Sequence, residues 1–76
     1  MDTKRTFDVI DAAAQILADG NLYITQIMAA STIRPSVIIV TCDDSGTRHL
    51  VTIDAPMPDV LMYLPGCLRA HGWAWM

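Results

Sequence analysis

The chain has no glutamate, one lysine, one phenylalanine and only two cysteines among its 76 residues. Each scarcity removes a class of protein. With only five bases, of which Lys4 and Arg5 alone are adjacent, there is no run of cations to displace counterions from a phosphate backbone, so duplex binding through a basic face is disfavoured. Cys42 and Cys67 are too few for a disulfide-stapled secreted scaffold and lack the paired spacing of a structural zinc site. No apolar run approaches the roughly 18–20 residues that cross a bilayer, and Asp8 and Asp11 interrupt the stretch after Lys4 and Arg5, so neither a membrane span nor a signal peptide is expected. A cytoplasmic chain of one domain, residues 1–76, without repeats or linkers, is the expectation.

What is present is apolar. Hydrophobic side chains make up 53% and charged ones 17%, the reverse of a disordered composition. All eight acids are aspartates, and they leave a formal net charge of -3.

From Thr6 to Gly20 the pattern is helical. Phe7, Val9, Ile10, Ala13, Ala14, Ile16 and Leu17 fall on one half of the cylinder, and Asp8, Asp11, Gln15 and Asp19 on the other. Thr3 or Thr6 can cap the start, and Gly20 or Asn21 can take the left-handed conformation that stops it. Leu22 to Ala30 mixes β-branched residues with a Gln-Ile-Met-Ala-Ala segment suited to a short helix, and reads as a strand. Pro35 marks a connection. Ser36 to Cys42 and Thr47 to Ile53 then flank Asp43-Asp44-Ser45-Gly46, a hairpin in which Gly46 supplies the positive φ of the turn. Beyond it, Pro58 suits the first turn of a helix carrying Val60, Leu61, Leu64 and Leu68, which Pro65-Gly66 is expected to kink or split and His71-Gly72 to end.

The expected fold is therefore α+β: a small two-layer domain of α-β-β-β-α order. Its antiparallel sheet of two or three strands, with a central hairpin at 36–53, is flanked by an N-terminal and a C-terminal helix. That order resembles the double-stranded-RNA-binding domain. Members of that family begin their second helix with lysines that straddle phosphates, whereas this one begins Pro58-Asp59-Val60-Leu61, so the resemblance implies element order and no RNA-binding surface.

Candidate chemistry is sparse. Cys67 and His71 have helical spacing for a metal or a thiolate–imidazole pair, but need further ligands such as Cys42 and His49 to converge on them. A buried structural cysteine and a histidine near a helix end explain the same spacing. Asp43-Asp44-Ser45-Gly46 is too short for a calcium loop and reads as turn chemistry. With no phosphate-binding or nucleophile motif, neither a catalytic site, a metal nor a cofactor is expected.

Two surfaces remain as candidates. Asp8, Asp11, Gln15 and Asp19 form an acidic helix face fit for a partner with a basic, nucleic-acid-binding surface. Val37-Ile38-Ile39-Val40 is apolar on both strand faces, and one layer of helices covers only one. The other face needs the tail, with Trp73, Trp75 and Met76, or a second protein. The expected function is a small acidic protein-binding module without catalytic activity, acting as a homo-oligomer or complex subunit. Its size and charge are also those of phage and mobile-element accessory inhibitors, anti-CRISPR-like proteins that bind and block a host complex. The alternatives are a self-associating structural or regulatory subunit, and a nucleic-acid-binding module using Arg34 and Arg48.

Overall fold

A computed structural model describes residues 3–31 and 33–73. The elements run α1 (Thr3–Asp19), β1 (Tyr23–Ser31), β2 (Ser36–Cys42), β3 (Arg48–Ile53) and α2 (Met57–Ala70). The sheet is antiparallel throughout in the order β1-β2-β3, so the hairpin read from the sequence is its core and β1 joins at the free side of β2. Leu22 to Ala30 is thus resolved as strand, shifted by one residue.

Register divides the sheet into two faces. Val37, Ile39 and Thr41 pair with Ile53, Val51 and His49 on one side and with Ala29, Ile27 and Ile24 on the other. Val37, Ile39 and Thr41 are fully buried, and this face carries the helices. From α1, Ile10, Ala13, Ala14 and Leu17 enter the core, and from α2 Val60, Leu64, Cys67 and Leu68. Phe7 and Ile16 lie outside that stripe and are exposed, so the buried band of α1 is narrower than the half-cylinder its composition suggests. Phe7 instead meets Tyr63 of α2 edge to face, with ring centroids 5.8 Å apart.

Both helices end in the same way. At α1, Leu22 N–H reaches back to Leu17 O and Asn21 N–H to Ala18 O; at α2, Trp73 N–H reaches Leu68 O and Gly72 N–H Arg69 O. This pair of reverse bonds satisfies carbonyls that a helix end otherwise strands, and it requires a left-handed residue. Asn21 at φ 53° and Gly72 at φ 82° supply it. Gly20 does not take that conformation; it permits close packing, since a Cβ there would lie 3.2 Å from both Ile16 O and the Leu22 side chain.

Two expectations about helix boundaries are corrected. α1 begins at Thr3, so Thr6 sits inside the helix, buried, rather than capping it. α2 runs unbroken through Pro65 and is not split. The carbonyl that Pro65 leaves without an intrahelical donor belongs to Leu61, an exposed position where solvent can take the bond, while Val60 and Leu64 before the proline and Cys67 and Leu68 after it bury against one core.

Candidate interaction surfaces

The acidic face of α1 is only partly what its spacing suggests. Asp8, Gln15 and Asp19 are exposed. Asp11 turns toward α2, where His71 Nε2 donates to its Oδ1 at 2.9 Å across the seam between the helices. Cys67 lies in the same seam. Its thiol is buried, and burial first, then the charge of Asp11 and a hydrogen bond to it, push the thiol pKa up. The fold therefore joins Cys67 and His71 through an aspartate that sequence spacing did not place there. Such a thiol is held protonated, the reverse of an activated nucleophile. Cys42 and His49 lie in the β2–β3 hairpin and do not join them. Among the described residues no group of three or more metal-ligating side chains is placed to hold an ion.

His49 belongs to the turn. Asp43 Oδ1 accepts from Ser45 N–H and Thr47 N–H, both at 2.9 Å, and from the Ser45 hydroxyl at 2.6 Å, while His49 Nε2 donates to Oδ2 at 2.9 Å. These bonds, first those from Ser45 and His49, hold the Asp43 carboxyl well below the usual carboxylate range. Gly46 at φ 88° completes the turn as its sequence indicates. Turn chemistry accounts for Asp43, Ser45 and Gly46, while Asp44 reaches out to Asn21 and Tyr23.

Arg34 and Arg48 stand apart. Arg34 precedes Ser36 at one end of β2, and Arg48 pairs with Cys42 at the other. The convergence of Arg34, Arg48 and His49 that a nucleic-acid surface on the hairpin needs is not formed.

The broadest apolar surface is the open side of the sheet. Alternation puts Tyr23, Gln26 and Met28 of β1, Ile38, Val40 and Cys42 of β2, and Arg48, Leu50 and Thr52 of β3 on the face away from the helices. Leu50 is 64% exposed, Tyr23 48% and Met28 37%, and they surround Ile38 and Val40 on the central strand. Tyr23 is anchored at one corner, where a hydrogen bond to Asp44, and then that group's charge, raise its phenol pKa. Sequence reading marked β2 as the apolar strand and counted Met28 among the adaptable apolar residues, but missed Tyr23 and Leu50. Alternation alone could place Leu50 between Arg48 and Thr52, but Tyr23 joins Gln26 and Met28 only through the register shift between Ile24 and Gln26, which strand pairing reveals.

Trp73 does not cover that side. It packs half-buried against the helix-side core, and its indole Nε1 donates to Leu22 O at 2.8 Å. Trp75 and Met76, the other tail residues expected at an interface, lie outside the described residues. No described helix is long and apolar enough to cross a membrane. No family model, curated protein or solved structure matches the chain.

Proposed function

We propose that this chain is a non-catalytic protein-binding module that pairs with a second copy of itself through the open face of the sheet. The carrying observation is the exposure of Leu50, Tyr23 and Met28 around Ile38 and Val40 on a face with no described helix over it. An antiparallel sheet facing water ordinarily alternates apolar-in and polar-out, and β2 does not. The distribution of charge selects the occupant. Among the described residues the strand positions of this face carry one charge, Arg48, with Asp44 only at the Tyr23 corner, whereas Asp8, Asp11 and Asp19 lie on α1 beyond the opposite face. Two sheets packed face to face, about 10 Å apart, keep α1 and its aspartates on the outer sides of the pair.

Sedimentation equilibrium tests this reading. The native chain is expected to be a dimer, and Leu50→Lys, at an exposed position, a folded monomer. A monomeric native chain, or a dimer indifferent to Leu50→Lys, refutes it.

A second reading concerns the outward surface of such a pair. Asp8, Gln15 and Asp19 are exposed together on α1, which favours a partner with a basic, nucleic-acid-binding surface, the acids standing in for phosphates. Blocking of a host complex by a mobile-element inhibitor is the finer form of this reading, and it rests on size and charge. Charge reversal at Asp8 and Asp19 should abolish capture of such a partner without changing the dimer.

A further inference from the structure

We propose that a cleft of about 450 Å³, at the end of the molecule where α1 starts, binds a small phosphate monoester that also carries hydroxyl groups. Three separate segments build it: α1 contributes Arg5, Thr6 and Val9, the β1–β2 turn Arg34, and the β3–α2 connection Asp54 and Pro56. Its volume is that of a site for a small organic ligand rather than for a single ion.

The charge of the cleft is what sets it apart. In a chain where acids outnumber bases eight to five, this cleft gathers two of the five bases against one acid. The guanidinium is the side chain best matched to a tetrahedral oxyanion, because its planar fork donates two parallel hydrogen bonds. Arg34 makes another interaction of its own, but five N–H donors leave it others to give. Arg5 and Arg34 line the cleft from different elements, so a phosphate seated between them would draw on both. The preference for a monoester comes from Asp54. Its carboxylate repels a polyphosphate or a second anionic group, yet accepts from hydroxyls. Val9, Ala55 and the proline rings supply apolar walls beside the charged groups.

The test is a titration of isotope-labelled protein followed by amide chemical shifts, with ribose 5-phosphate and inorganic phosphate as probes and ribose and chloride as controls at matched ionic strength. Saturating shifts are expected at Thr6, Val9, Ala55 and Met57 with both phosphates, tighter for ribose 5-phosphate, and none with ribose or chloride. The Arg5→Gln/Arg34→Gln double variant, altered only at exposed positions, should remain folded and lose at least about tenfold in affinity. Asp54→Asn should bind inorganic phosphate more tightly. Shifts that are absent, that chloride reproduces, or that survive in the folded double variant overturn the site. Equal affinity for the two phosphates overturns the role given to Asp54. Should the double variant not fold, the single Arg5→Gln variant decides, by losing affinity or keeping it.

Discussion

His71, the residue that caps α2, donates from Nε2 to Asp11 Oδ1 in the middle of α1 at 2.9 Å, closing a seam between residues 60 apart in the chain. The same carboxylate disfavours ionisation of the buried Cys67 thiol one turn earlier on α2. Asp11 is thus a tie between the helices more than a member of the outward acidic face.

Asp11→Asn tests that assignment through the thiol. Side-chain exposures of 40% for Asp11 and 27% for His71 allow solvent to screen the pair, so its loss should cost no more than about 1 kcal/mol. With the negative charge gone, the Cys67 thiol should become more acidic, while burial still holds it above an exposed thiol. The pH profile of its reaction with a disulfide reagent is expected to move to lower pH in the variant. An unmoved profile means that burial alone sets the thiol.

The turn at Asp43 predicts a dependence on acid. A carboxyl whose folded pKa is depressed stabilises the native state fully above its unfolded value, roughly pH 3.9, and loses that contribution as pH falls below it toward the folded value. Melting temperature measured from pH 6 to pH 2 should therefore drop more steeply below about pH 4 in the native chain than in Asp43→Ala. Asp43→Ala should also melt lower at pH 7, since Ser45 N–H and Thr47 N–H lose their acceptor.

Pro65 predicts a gain. Proline inside a helix forgoes one backbone hydrogen bond and crowds the preceding turn, and α2 is continuous despite it. Pro65→Ala should stabilise the protein by about 1 kcal/mol or more, read from urea unfolding. A loss of stability would mean that the half-buried ring packs better than the restored bond repays.

Two leucines of α2 separate its faces. Leu68 is fully buried and Leu61 is 55% exposed. Leu68→Ala should cost about 2–5 kcal/mol, a large part of the stability of so small a domain. Leu61→Ala should stay within about 0.5–1 kcal/mol. Comparable losses at both sites would place Leu61 in an interface that this chain forms in solution.

Much of this architecture was legible in the residues. The 3.6-residue spacing of Ile10, Ala13, Ala14 and Leu17, the β-branched runs on either side of Asp43 to Gly46, and the stop at His71-Gly72 are local signals. They concern residues within about one turn of a helix or one turn of a hairpin, whose geometry the backbone settles by itself. The choice between strand and helix for Leu22 to Ala30 was decided by β2, because an edge strand gains its hydrogen bonds only from a neighbour.

What the sequence by itself determined, then, is the kind and order of elements and the apolar character of β2. The tertiary structure decided which aspartate faces solvent and which is tied to His71, and that Trp73 serves the core through Leu22 O. It decided too that Arg5 and Arg34 line one cleft while Arg48 lies at the far end of the sheet, and that Leu50, Tyr23 and Met28 share a face that no described helix covers. Each of these relations joins side chains from different elements. Their distances depend on strand register and helix docking, which come from burying a common core and leave no trace in local spacing.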